Sequence, residues 1–569
     1  MRLLTITICA ALLGGCTKPM QIEKPDMVLT NRTPVARWTE VPNLTYGDDF
    51  IVTLSAEHVS GINRVEFSID GGAPVIVRTK TPHPDTGYPE YLLPVGDLND
   101  GLHEVTATVF ANSGSSLVLG GDDNRLGNLN ALNNGLGSFF FRKGGLVTVT
   151  VPGDYPTLDA LFEEVDPAGM RVLISGDFVG LSSDPGRGVY PYSDNPILFE
   201  GDGTARMTGS FGSISRRSLV FKDIEFAMPF DPGLRLFYGD RNTVNMIAWV
   251  GCTFTPDSDD PNAWQLFGWS RFTKTNWKGG IYSVDNLYSK LNKGPDRVTM
   301  SKGDTFEYLT WDCFSANPGC IVNLFVNKGT GTCDNHSRHC DVIQYLKDSL
   351  PVEFGPTRNR LFIDWNVMNY YGQVGHIEGS PADSYEDFYF ARWVVDGHFD
   401  QSMNNYASVT KNWTLKDLTM RGIDFELFGS GTYQGLIAEN IITEKWKANA
   451  SPDVFWANTD GGYFVNWHVE DPGNNGWQLT STGPVDWKNP TPEVVEVPEC
   501  TSYPNLDPVV FRDAEEIDLS NTVFGPPCYT QEDLAQLLAV FGSDDPEWDL
   551  NDDGVVNGYD LTLLLANTC

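Results

Sequence analysis

One short pattern returns through the middle of the chain and restricts its fold more than any other feature. It runs apolar, any, apolar, any, a turn-prone residue, apolar, any, then usually apolar. The copies begin at Leu219, Ile247, Tyr282, Tyr308, Trp413, Leu436 and, more loosely, Phe464. The alternation is a strand signal, because successive side chains of a strand point to opposite faces. The fifth position is Asp, Gly or Asn in all copies but the last. Those residues tolerate the left-handed backbone that a one-residue corner between two strands needs.

Most copies follow one another at roughly 23 to 35 residues, a period at which a strand unit buries its inner face only by stacking on its neighbours. The interval between Tyr308 and Trp413 is long enough for four such units and holds apolar runs near Val342, Phe362 and Phe390. Strand-corner-strand units stacked in this way resemble the right-handed parallel β-helix of the pectin lyase-like superfamily, over residues 147–476. The resemblance implies a mainly β fold. It is specific for architecture and much less so for activity.

A chain of 569 residues exceeds one ordinary core, so several domains are expected. The net charge of −36 disfavours nucleic acid as a partner of the whole surface, since a polyanion is repelled. Residues 1–16 read as a targeting segment: Arg2, an apolar run from Leu3 to Leu13, then Leu13-Gly14-Gly15-Cys16. The run is too short to span a bilayer. Its ending resembles a bacterial lipobox, which implies lipid on Cys16, attachment to a membrane by that anchor alone, and an outer-membrane or cell-surface location. Beyond the leader stand Cys252, Cys313, Cys320, Cys333, Cys340, Cys500, Cys528 and Cys569, an even set that in an exported protein reads as disulfides. Cys313/Cys320 and Cys333/Cys340 share one spacing, and each pair could close a small loop.

Residues 33–142 read as a β-sandwich. Val52, Leu54 and Ala56 alternate with Ile51, Thr53 and Ser55, and Val65, Phe67 and Ile69 lead into the turn signal Asp70-Gly71-Gly72 before Val75-Ile76-Val77. The stretch from Gly101 to Phe110 resembles a late strand of bacterial Ig-like modules; a long loop from Ser113 to Gly137 is expected before a last strand at Ser138–Arg142. Thr157 is placed to cap a helix whose Leu158, Leu161, Phe162 and Val165 share one face. Such a helix would cover the open end of a solenoid, where strand edges are otherwise unpaired. Residues 477–527, rich in Pro and acidic residues, read as a linker.

Residues 528–569 form a small helical module. Leu534, Leu537, Leu538 and Phe541 make one apolar face, and a second helix is expected at Tyr559–Ala566. Between them, Asp549, Asn551, Asp553, Asn557 and Asp560 bring oxygen side chains to loop positions 1, 3, 5, 9 and 12, with Gly554 at 6 and the Val555 carbonyl at 7. That set supplies the hard ligands and sharp turn that calcium requires. The loop resembles an EF-hand, and its Asp at the twelfth position resembles a dockerin. Dockerins usually carry two such loops and this module has one, so a protein partner is implied less firmly than calcium.

Two places on the solenoid carry chemistry. Around Cys333–Gln344, a strand would set His339 and Asp341 on one outer face, with Gln344 on the other; an imidazole beside a carboxylate can transfer protons at neutral pH. A hydrogen-bonded corner is the other reading. Upstream, Arg271 to Lys302 is strongly basic, with Arg271, Lys274, Lys278, Lys290, Lys293, Arg297 and Lys302 against Asp285 and Asp296. Trp277 and other rings interleave, a combination suited to an acidic polysaccharide. An insertion with decorative lysines is equally compatible. His376 with Glu378, and Asp396, His398 and Asp400, carry less weight. The expectation is a surface-anchored β-helix acting on an acidic polysaccharide as lyase or glycoside hydrolase, or a non-enzymatic adhesin or glycan-binding protein.

Overall fold

The computed structural model describes residues 32–47, 50–96, 98–120, 135–181, 195–209, 211–212, 218–227, 237–238, 246–255, 281–291, 294–295, 298–307, 309, 313–316, 324–326, 341–345, 357–377, 384–405, 409–425, 432–446, 459–460, 463–471, 536–539, 541 and 543. The protein is mainly β. From Val147 onward the strands form an 18-stranded parallel sheet and a 6-stranded parallel sheet, with a further 2-stranded one. Each turn of the chain adds one strand beside its predecessor: Ile197 pairs with Leu219, Leu219 with Ile247, and Ile247 with Ile281. This is a parallel β-solenoid, in which a coil's edge is satisfied only by the next coil.

The left-handed corners lie where the turn-prone residues recur. Asp223, Gly251 and Asp417 hold φ of 55°, 63° and 55°, each at the fifth position of its unit. Two units were framed wrongly by their apolar residues. Ile281, not Tyr282, aligns with Ile247, which puts the corner at Asp285 (φ 53°) rather than Asn286. Ile437 pairs with Tyr463 and Ile441 with Trp467, so the loose copy at Phe464 begins two residues earlier and carries Asn466 opposite Asn440. In the interval after Tyr308, the runs near Val342, Phe362 and Phe390 are strands, Asp341–Tyr345, Thr357–Ile377 and Ser384–Asn405. One corner there is disguised. Arg392 occupies the left-handed region (φ 56°), in line with Asp364 and Asp417.

The interior is stacked by residue type. Phe226, Phe254, Tyr288 and Phe306 form a continuous ladder with ring centroids 4.7, 4.7 and 5.0 Å apart, close to the strand spacing of a sheet. Trp365 on Trp393 (4.3 Å) and Phe388 on Trp413 (5.0 Å) extend the principle. The coil at Met300–Glu307 escaped the repeat because its inward residue is polar: Ser301 Oγ donates to Asp304 Oδ2 at 2.6 Å. Asn286 links coils there, its backbone N–H donating to Asp304 Oδ1 (3.0 Å) and its Oδ1 accepting from Cys252 N (2.8 Å). Cys252 departs from the disulfide expectation. It is a free thiol, buried inside the solenoid and pushed up to about 12 by burial. A sulfur at an inward corner position has only core around it. Cys313 is also buried; Cys320, Cys333, Cys340, Cys500, Cys528 and Cys569 lie outside the described residues.

The helix Leu158–Glu164 follows the first strand, Val147–Val151. Thr157 Oγ1 accepts from Ala160 N at 3.1 Å, and Leu158, Leu161 and Phe162 enter the solenoid core beside Val172 and Phe199.

Residues 35–143 form two further, largely antiparallel sheets around a separate core that includes Val52, Leu54, Val65, Phe67, Val105, Val109, Phe139 and Phe141. Asp70 (φ 50°) and Gly71 (φ 70°) make the turn between Ile62–Ile69 and Val75–Val77. The stretch expected as loop after Ser113 contains a strand, Ser116–Leu119, paired with Gly101–Ala111. Thr53 and Ser55, on the side away from this core, are also buried. The reason is docking. Val35, Val41 and Tyr88 pack on a strip of the solenoid's outer face made by Val220, Met246, Ala248, Val284, Met300, Leu361, Ile363, Tyr389 and Ala391. Those residues alternate with the solenoid's own core residues, so beneath the docked unit both faces of this sheet are dry.

Candidate functional site

The stacked strands Phe314–Ala316, Asp341–Tyr345, Thr357–Ile377 and Ser384–Asn405 bring distant polar residues into rows. Ser315 pairs with Gln344, Gln344 with His376, and His376 with Asn404. A second row joins Asp341, Gln373 and Gln401. Adjacent members of a row stand about 4.8 Å apart, the spacing of neighbouring strands. The register thus brings a serine, a glutamine, a histidine and an asparagine to one position on four stacked strands.

Of the residues singled out from the sequence, Gln344 and His376 are thereby neighbours. Asp341 is described, and its side chain has 0% exposure; its carbonyl accepts from Cys313 N at 2.9 Å. Val342 and Ile343 beside it belong to the solenoid core. Asp341 is therefore inside the coil rather than on an outer face, where the alternation alone had placed it. Both of its apolar neighbours being buried removes the solvent side on which that placement relied. His339 lies outside the described residues.

Asp396 pairs with Met368 and Arg421, and His398 with Tyr371. Tyr371 precedes His376 by five residues on one strand, so His398 belongs to a different row from His376. Ser315 and Asn404 went unnoticed in the sequence. A signal existed for Asn404: it follows the corner at Arg392 at the distance at which His376 follows the corner at Asp364.

The basic window divides. Lys302 is buried against the N-terminal sandwich, its Nζ 2.9 Å from Glu90 Oε2, and so is removed from any groove. Arg271, Lys274, Trp277 and Lys278 lie outside the described residues, as do Glu378, Cys16, the linker 477–527 and the loop Asp549, Asn551, Asp553, Val555, Asn557 and Asp560. Of the module's first apolar face, Leu537 is buried while Leu538 and Phe541 are exposed. Among the described residues no cluster of three or more His, Cys, Asp or Glu could hold a metal, and no helix is long and apolar enough to cross a membrane.

One interior carboxyl is strongly perturbed. Burial pushes Asp304 up to about 7, against the hydrogen bonds from Ser301 and Asn286. It is enclosed in the coil, so its role is to tie coils together.

The architecture defines a parallel β-solenoid with an antiparallel unit docked on its side. No family model matches the chain, and no curated protein matches it. Among solved structures it is similar to the family 28 exopolygalacturonase of Yersinia enterocolitica, at 10% identity and a TM-score of 0.34, over 76% of this chain and 98% of that one.

Proposed function

We propose that the chain is a carbohydrate-active, right-handed parallel β-helix protein acting on an acidic polysaccharide, as a polysaccharide lyase or a glycoside hydrolase. The row Ser315–Gln344–His376–Asn404 supports this reading. Residue types able to hydrogen-bond, repeated at the coil spacing, suit a polymer lying along the axis, and a histidine is among them. Arg271, Lys274 and Lys278 would hold carboxylate or sulfate groups, and Trp277 would stack on a sugar face. The reading also takes Cys16 as a lipid anchor at a bacterial cell surface, residues 33–142 as Ig-like, and residues 528–569 as a dockerin-like module that binds calcium and could carry a protein partner.

The deciding experiment screens uronate-containing and sulfated polysaccharides for new reducing ends and for absorbance of an unsaturated end. Turnover that is lost in His376→Ala, with binding kept, supports catalysis at this row. Binding lost in Arg271→Ala/Lys278→Ala, more at low salt than at high, assigns those charges to substrate. Binding without turnover in the unaltered protein makes it an adhesin. If Cys16→Ser leaves the protein in the membrane fraction, the anchor is wrong.

A further inference from the structure

The interface between sandwich and solenoid encloses an ionisable cluster that neither core needs. Lys302, on the solenoid, has 0% side-chain exposure, and Glu90, on the sandwich, 1%. Lys302 Nζ donates to Glu90 Oε2 at 2.9 Å and to Thr39 O at 3.4 Å, and lies 3.6 Å from Glu40 Oε1. Thr53 Oγ1 donates to the same Glu40 oxygen at 3.1 Å. His83 closes the group, its Nε2 3.8 Å from Glu40 Oε1.

A charge count fixes where a proton must go. The His83 Nδ1 accepts from Asp85 N (3.1 Å) and Thr86 N (3.4 Å), so that nitrogen is bare and the ring is neutral. Tyr46 donates its hydroxyl proton to Val41 O at 2.6 Å and keeps it. Asp85 and Asp285, the other nearby carboxylates, are exposed to water. Around Lys302 itself remain one ammonium and two carboxylates, Glu90 with 1% and Glu40 with 18% side-chain exposure. A buried net charge is costly, so the docked cluster is neutral only when one carboxylate carries a proton. Glu90 has the shorter ion pair, which leaves the proton to Glu40.

We propose that docking of the sandwich on the solenoid is a proton-gated latch, closed when Glu40 is protonated and loosened when it ionises. Consistent with that geometry, burial drives Glu40 from an ordinary 4.5 up to about 7, against the pull of Lys302. Undocked, Glu40 returns to water and to the ordinary range. Docking therefore takes up one proton between about pH 4.5 and 7, and affinity falls as pH rises through that window before levelling off above it. His83 works against this slope at its acid end: burial and the Lys302 ammonium hold it below its ordinary value when docked, and undocking releases it to take up a proton.

The test uses the full chain with a specific protease site at Gly144-Gly145, between the strands Phe139–Lys143 and Val147–Val151, cut after folding. The dissociation constant of the two halves is then measured by sedimentation at constant ionic strength. In His83→Gln, where Glu40 titrates without that opposition, it should weaken about sixfold per pH unit between pH 5 and 7. Adding Glu40→Gln to His83→Gln should keep the halves tight with a flat profile. A flat profile in His83→Gln, or an unchanged slope in the double variant, overturns the proposal. Should the halves hold together at every pH, melting of the uncut chain decides. The melting temperature should fall relative to Glu40→Gln as pH rises from 5 to 7.5, and parallel curves reject the latch.

Discussion

Asn359 grips Ala36 as a neighbouring strand would. Its Oδ1 accepts from Ala36 N at 3.0 Å and its Nδ2 donates to Ala36 O at 3.1 Å, so one side chain satisfies both backbone groups of a residue far away in sequence. Asn359 does this from a left-handed corner (φ 60°), and its own carbonyl accepts from Arg37 Nε at 2.8 Å. A corner residue of the solenoid thereby becomes a docking residue for the sandwich.

Asn359→Ala should cost about 2–4 kcal/mol, because the Ala36 amide and carbonyl lose their partner in a dry seam and the corner loses a residue that tolerates its backbone. Asn359→Asp, which keeps only the acceptor, should fall between. Urea unfolding followed by tryptophan fluorescence measures both; an unshifted midpoint for Asn359→Ala would refute the two-point grip.

Arg392→Gly sets two effects against each other. Glycine relieves the left-handed backbone, worth about 1 kcal/mol. Arg392, however, bonds Asp364 through Nε (2.6 Å) and Nη2 (3.1 Å) and meets Glu57 at 3.1 Å. Stripping the cation from two half-buried carboxylates costs about 3–5 kcal/mol. Net destabilisation is expected, and a gain in melting temperature would mean the strain outweighs the ion pairs.

Glu57 makes the seam sensitive to acid. Burial pushes its carboxyl up, but Arg392 and Lys80 outweigh that and hold it at about 2, below the ordinary 4.5. The folded state therefore binds its proton less well than the unfolded chain. The contribution is complete above about pH 4.5 and is lost as pH falls toward 2, amounting to roughly 3 kcal/mol. Glu57→Gln should be less stable at pH 7, and the gap should close in acid. A gap that is constant from pH 7 to pH 2.5 would contradict this.

Calcium should bind the chain at the loop Asp549–Asp560. Nine acidic and no basic residues stand in 528–569, so the loop's oxygens repel one another until a cation neutralises them. Titration calorimetry should show one site, removed by Asp549→Ala, and equal melting profiles in calcium and in chelator would exclude it.

The repeat was legible because a parallel coil must put an apolar residue inward at fixed intervals and a left-handed residue at the bend. Asp223, Gly251 and Asp417 announce themselves on both counts. The coil at Met300–Glu307 does not, since its interior is a hydrogen-bond network around Asp304, and Arg392 hides a corner behind a side chain chosen for its partners. Gly303 is the visible remnant of that hidden coil: at φ 70°, a Cβ there would stand 1.9 Å from Asp285 Oδ1. The seam was illegible for a different reason. Lys302 looks identical in sequence whether it faces a glycan or Glu90, because charge signs reveal affinity for an opposite charge but not which one. The row at His376 was half legible: its members are ordinary polar residues, and only strand register, which the sequence does not carry, makes them adjacent.

The sandwich grips the solenoid at coils well separated along its axis. Glu90 meets Lys302, Ala36 meets Asn359, and Arg32 donates to Thr414 Oγ1 at 3.0 Å, while Met300, Leu324, Leu361, Tyr389 and Thr414 follow one another in register across that span. Solenoids ordinarily lengthen or shorten by whole repeats, since each repeat contacts only its neighbours. Here a duplicated or deleted coil between Lys302 and Thr414 would displace one grip by about 4.8 Å relative to the others. The docked unit acts as a ruler, and descendants of this chain are free to vary in coil number only outside the stretch it measures.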